Sequence, residues 1–89
     1  MQALQFKKNL PELSILDIRT DREWEDFNVG GIHIPLDFLL ERINELDSSK
    51  NYIVVCYNGT QSSIACRLLN AKGFQTENLE GGLEAYLSL

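Results

Sequence analysis

Two residues in this chain carry nucleophilic sulfur, Cys56 and Cys66, and only one has surroundings that suit chemistry. Cys56 ends a short apolar run, Tyr52-Ile53-Val54-Val55. A polar loop centred on Gly59 (Tyr57-Asn58-Gly59-Thr60-Gln61) follows, and a helical pattern runs from Ser62 to Lys72. A cysteine between a strand and a helix faces the N–H groups of the loop and of the first helical turn. Those donors have no partner within the helix, and the helix dipole adds partial positive charge there. Such a cup suits a thiolate, a persulfide or an oxyanion. A thiol so placed ionises more readily, and the thiolate is the nucleophile. The competing reading is a buried structural cysteine at the end of a core strand; the loop around Gly59 favours the chemical one. Cys66, inside the helix, reads as inert core.

Other chemistries are poorly supported. The cysteines are spaced for neither a CxxC pair nor a zinc site. With His33 as the sole histidine no metal cluster is expected. His33 reads as a half-exposed strand residue, and a thiolate nucleophile does not require it as a base. The formal net charge of −5 argues against a phosphate-neutralising face for nucleic acid. No apolar run approaches the ~18 residues of a membrane span, and the N-terminal stretch is too polar for a secretory leader. Few cysteines and no leader point to a reduced, cytoplasmic setting.

The elements that must position Cys56 can be read in order. The 89 residues suit a single domain, 1–89, with 44% hydrophobic content to fill one core. A short amphipathic helix from Ala3 ends near Leu10, before Pro11. Ser14 to Arg19 reads as a buried strand with Asp17 and Arg19 at its exit, as either an ion pair or the edge of a ligand crevice. Thr20 and Glu23 match a capping box, with Trp24 and Phe27 on the buried side of the helix it opens. Asn28 to Gly31 turns the chain into a short strand, Ile32-His33-Ile34, closed by Pro35. Asp37 is expected to cap a helix whose apolar stripe is Phe38, Leu39, Leu40, Ile43 and Leu46. In the helix after Cys56, the pairs Ile64/Leu68 and Ala65/Leu69 suggest the packed face, and Gly73 a left-handed stop. Phe74 to Asn78 reads as an outer strand, Glu80-Gly81-Gly82 as a turn, and Leu83, Tyr86 and Leu87 as a closing helical face.

Strands alternating with helical segments imply an α/β fold, a mostly parallel sheet of four to five strands flanked by helices on both faces. Ligands of such sheets bind beyond the carboxyl ends of the strands, where Cys56 lies.

Six stretches, in register, resemble the single-domain rhodanese family of sulfurtransferases. They are Leu16-Asp17-Ile18-Arg19, Trp24-Glu25, Gly30 to Leu36, Ile53 to Gly59 with its CxxG loop, Gly73-Phe74, and Asn78-Leu79-Glu80-Gly81-Gly82. The resemblance implies that Cys56 takes a sulfane sulfur, becomes a persulfide and passes the sulfur to a thiophilic acceptor. It implies that the loop Tyr57, Asn58, Gly59, Thr60, Gln61 and Ser62 holds substrate through backbone N–H groups, with Asp17 and Arg19 at the site edge. The implied donor is a small sulfur anion such as thiosulfate, or a protein persulfide. The implied acceptor is a protein or a small thiol, and neither metal nor organic cofactor is needed. Gln61 stands where many members carry Arg or Thr. A neutral amide and an acidic chain tilt the expectation from free thiosulfate toward relay from a protein. Rhodanese-like phosphatases carry an arginine six positions after the cysteine; Ser62 occupies that place and disfavours phosphate-ester hydrolysis. The alternative within the family is a non-catalytic module that binds a partner or senses redox state.

Overall fold

The computed structural model describes all residues, Met1–Leu89. Its centre is a four-stranded sheet, parallel at every pairing, in the order β2-β1-β3-β4. The strands are β1 (Ser14–Asp17), β2 (Ile32–His33), β3 (Asn51–Val55) and β4 (Gln75–Asn78). The helices are α1 (Ala3–Asn9), α2 (Asp21–Asp26), α3 (Thr60–Ala71) and α4 (Gly82–Leu87).

The strands sort their side chains by alternation, since successive residues face opposite sides of a sheet. Leu16, Tyr52, Val54 and Cys56 join Ala65, Cys66 and Leu69 of α3 in one core. Ile15, Ile53 and Val55 join Phe6 of α1 and Leu83 of α4 in the other. Burial on both faces explains why β1 and β3 read as continuous apolar runs. The register pairs Asp17 with Val55, so the strands end together and set the level at which Cys56 leaves the sheet.

Local signals behave as their chemistry dictates. Thr20 Oγ1 accepts from the Glu23 N–H while the Glu23 carboxylate accepts from the Thr20 N–H, completing the capping box. Helix α3 ends in a Schellman motif: Phe74 N–H donates to the Leu69 carbonyl, Gly73 N–H to that of Asn70, and Gly73 takes φ +95°.

Four expectations are corrected. The segment after Pro35 is not an α-helix capped by Asp37. It forms two 3-10 turns, Leu36–Phe38 and Ile43–Glu45, with no side-chain cap. Leu39 and Leu46 reach the core, whereas Phe38 and Leu40 face solvent. A short helix depends on packing for stability, and a chain held at spaced points (Leu36, Leu39, Ile43 and Leu46), with no continuous buried stripe, is free to take the tighter turns that span them. On α3 the packed face is Ser62, Ala65, Cys66 and Leu69, while Ile64 and Leu68 are exposed. Phe27 also lies outside, past the end of α2, and Trp24 stacks instead on the His33 ring at 4.8 Å. That stack, and a 2.8 Å contact from His33 Nε2 to the Arg19 carbonyl, enclose His33 more than a half-exposed strand residue. No helix is long and apolar enough to cross a membrane.

Candidate active site

Cys56 is the first residue beyond β3. The chain bends through Tyr57, Asn58 and Gly59 and enters α3 at Thr60. Gly59 makes this bend possible with φ +91°, a region other residues enter at a cost. The bend turns main-chain donors onto the sulfur. Gly59 N–H donates to Cys56 Sγ at 3.1 Å and Ser62 N–H at 3.3 Å, with Ser62 Oγ at 3.2 Å. Cys56 is only 4% exposed, yet its nearest polar neighbours are these two N–H groups and the Ser62 hydroxyl oxygen. Main-chain N–H groups aimed at one sulfur are the partners from which a thiolate or persulfide could accept, each hydrogen bond to a charged acceptor contributing roughly 1.5–3 kcal/mol.

The loop is braced from behind. The first N–H groups of α4 bond to the loop's own carbonyls: Leu83 to Cys56 and Glu84 to Tyr57, each at 2.9 Å. The braces need close approach. A Cβ on Gly82 would stand 2.3 Å from the Tyr57 carbonyl oxygen, and Gly82 has φ +64°. From β4, Asn78 Nδ2 donates to the Gly59 carbonyl at 3.1 Å, and the Ser62 hydroxyl donates to Asn78 Oδ1. With its carbonyls thus engaged, the loop is held with its N–H groups toward the sulfur.

In front of Cys56 opens a crevice of about 360 Å3, lined by Arg19, Glu23, Cys56, Tyr57, Asn58, Thr60 and Gln61. The expected site residues therefore divide by position. Cys56, Tyr57, Asn58, Thr60, Gln61 and Arg19 line the crevice. Gly59 and Ser62 are buried and supply donors to the sulfur. The Asn58 side chain accepts from the Thr60 N–H at 3.0 Å and shapes the loop.

Asp17 is not at the edge. It is fully buried and does not line the crevice. Its carboxylate receives Arg19 Nε at 3.0 Å, Arg19 Nη2 at 2.8 Å and the Arg19 N–H at 3.0 Å. Arg19 Nη2 also donates to the Phe27 carbonyl at 2.7 Å, and Nη1 to that of Glu23 at 3.3 Å. The pair thus ties the exit of β1 to α2, and Arg19 reaches the crevice with its charge already balanced. Neither alternative for Asp17 and Arg19 describes this alone: it is a buried ion pair, one member of which forms crevice wall.

Glu23, Asn78 and Gly82 complete the site without having been singled out for it. Glu23 was legible only as a cap. The Gly81-Gly82 pair signalled a turn, and its second glycine reports a contact with a loop distant in sequence. No group of three or more His, Cys, Asp or Glu side chains converges to hold a metal.

The family model described as Rhodanese-like domain matches residues 2–89. The chain is 34% identical over 76 residues to "Putative sulfurtransferase YtwF" of Bacillus subtilis, across 84% of this chain and 74% of that protein. It is 36% identical over 77 residues to "Putative sulfur carrier protein YrkF" of the same organism, across 84% of this chain but only 42% of that longer protein. Among solved structures, the rhodanese-related protein of Thermoplasma volcanium superposes with a TM-score of 0.91 at 27% identity, covering 99% of this chain and 89% of the other.

Proposed function

This chain belongs to the rhodanese-like domain family, and from that premise we propose that it carries sulfane sulfur as a persulfide on Cys56. The observation that carries the reading is the pair of main-chain donors, Gly59 N–H and Ser62 N–H, within 3.3 Å of a sulfur that borders an open crevice. Relatives named for sulfur transfer and sulfur carriage support the class of reaction.

The chemistry is a two-step covalent transfer. The Cys56 thiolate attacks the outer sulfur of the donor. A bond forms from Cys56 Sγ to that sulfur, the donor's S–S bond breaks, and the donor leaves with the electron pair as a thiolate, or as sulfite from thiosulfate. The outer sulfur of the new persulfide projects toward the crevice, and loop donors stabilise the charge it carries. An acceptor thiolate then attacks that outer sulfur, and Cys56 leaves as thiolate. Tyr57, Asn58, Thr60 and Gln61 bound the space in which donor and acceptor must fit. No cofactor enters either step.

Intact-protein mass spectrometry after incubation with thiosulfate or a small persulfide tests this. The wild type and Cys66→Ser are expected to gain one sulfur, and Cys56→Ser none. Equal gain in Cys56→Ser, or none in the wild type, would overturn the reading. The second outcome would leave a crevice that binds a partner without sulfur chemistry.

A further inference from the structure

The crevice is larger than a small sulfur anion needs, and it continues. A second hollow of about 150 Å3, lined by Ile18, Thr20, Glu23, Pro35, Leu36, Asp37 and Gln61, shares Glu23 and Gln61 with the first. The two form one groove with the cysteine at one end. Thiosulfate has five heavy atoms. At roughly 30 Å3 each, the share of a water, it occupies about 150 Å3, less than half of the first hollow. A groove of this extent fits several residues of extended chain.

Its charge is as informative as its size. Arg19 is the only cation on either wall, and its guanidinium is held against the buried Asp17 carboxylate at 2.8 Å. The groove's carboxylates have no such partners. Glu23 bonds only to Thr20, and Asp37 is exposed and makes no side-chain cap. A doubly charged anion approaching Cys56 would meet these carboxylates with no free cation to offset them. At the mouth Tyr57 is 55% exposed and offers a ring face to a basic side chain.

Resting on the sulfur-transfer reading above, we infer that this groove receives a basic, extended segment of a partner protein whose own cysteine bears the persulfide, in preference to a free sulfur dianion. The Cys56 thiolate takes the outer sulfur, the partner's S–S bond breaks, and the partner's cysteine departs as a thiolate that takes a proton from water. No oxidant or reductant is consumed. Glu23 and Asp37 are the specificity residues: they act on the lysines or arginines flanking the partner's cysteine and not on the reacting sulfurs.

The test measures the rate at which Cys56 of the full chain gains sulfur from three donors, by mass spectrometry at low salt. The donors are thiosulfate, a cysteine-persulfide peptide flanked by lysine and arginine, and the same peptide flanked by glutamate and aspartate. The basic peptide is expected to load about ten-fold faster than the acidic one and faster than thiosulfate, with the gap closing at high salt. In Glu23→Gln/Asp37→Asn the peptide preference should shrink to about two-fold; glutamine preserves the capping box. Glu12→Gln/Glu41→Gln, which removes the same charge outside the groove, should retain the preference. Equal loading of the two peptides, faster loading from thiosulfate, or equal effects of the two double variants would overturn the inference while sulfur transfer stands. Failure of every donor to load Cys56, with the thiol still open to alkylation, would bring down the sulfur-transfer reading and this inference with it.

Discussion

Cys56 and Cys66 share a chain and a core, and both are nearly sealed from solvent, at 4% and 7% exposure. They differ in what surrounds the sulfur. Cys66 sits on the packed face of α3, where the helix's own hydrogen bonds occupy the backbone donors, and burial pushes its thiol above the ordinary range. Cys56 sits just ahead of the same helix, where the first-turn donors have no partner within the helix and the N–H groups of Gly59 and Ser62 reach the sulfur. Burial alone therefore does not rank cysteines for reactivity. One helix aims main-chain donors at a sulfur ahead of its first turn and offers none to the sulfur in its body, because its N–H groups lack intrahelical partners only at the start.

The difference can be broken most severely by pushing the loop off its brace. Gly82→Ala places a methyl group 2.3 Å from the Tyr57 carbonyl oxygen, so the backbone must shift. A loss of about 1–3 kcal/mol in denaturant unfolding is expected, the range of an overpacked core site. Sulfur loading should fall with it even in the folded fraction. Unchanged stability and loading would show that the close approach does not hold the cup.

A smaller effect should come from the hydroxyl beside the sulfur. Ser62→Ala keeps the N–H that donates to Cys56 but removes the Oγ at 3.2 Å and the bond to Asn78. With its one proton given to Asn78, the hydroxyl can only accept from Cys56, so its loss, about 1 kcal/mol for one hydrogen bond, corresponds to roughly five-fold faster alkylation of Cys56 with Cys66 unaffected. A slower Cys56 in this variant would show that the hydroxyl instead gives its proton to the sulfur.

The smallest effect concerns Cys66 and pH. Its folded pKa is raised by burial, so its stabilising contribution is full below the unfolded thiol value of about 8.5 and is lost as pH rises through the folded value. The wild type should thus lose stability relative to Cys66→Ala between neutral and alkaline pH. Parallel stability curves would argue against a thiol kept neutral by its surroundings.

Much of this was legible in the sequence because it is local. The β-branched run Ile53-Val54-Val55, the glycine-centred loop, the Thr20–Glu23 capping box and the Gly73 stop each specify their own backbone within a few residues. What was not legible depends on partners distant in the chain. Asn78 and Gly82 matter because β4 and α4 pack beside a loop some twenty residues earlier. The stripe after Pro35 matched a helix, but only Leu39, Ile43 and Leu46 of it pack on the core, while Phe38 and Leu40 are exposed. Ile64 and Leu68 were as apolar as Ala65 and Leu69. The sheet, not hydrophobicity, chose the face that includes Ser62 and Cys66, and that choice carries Ser62 to the Cys56 sulfur.

The two thiols are set apart by their donors, and competitive labelling reads that difference directly. A limiting amount of iodoacetamide at neutral pH, followed by peptide mapping, measures the relative rates of the two thiols in the folded wild type. Cys56 is expected to be labelled at least about ten-fold faster than Cys66, the advantage vanishing in denaturant where neither sulfur has its surroundings. Equal labelling of the native protein, or Cys66 ahead of Cys56, would contradict a sulfur activated by the amides of Gly59 and Ser62.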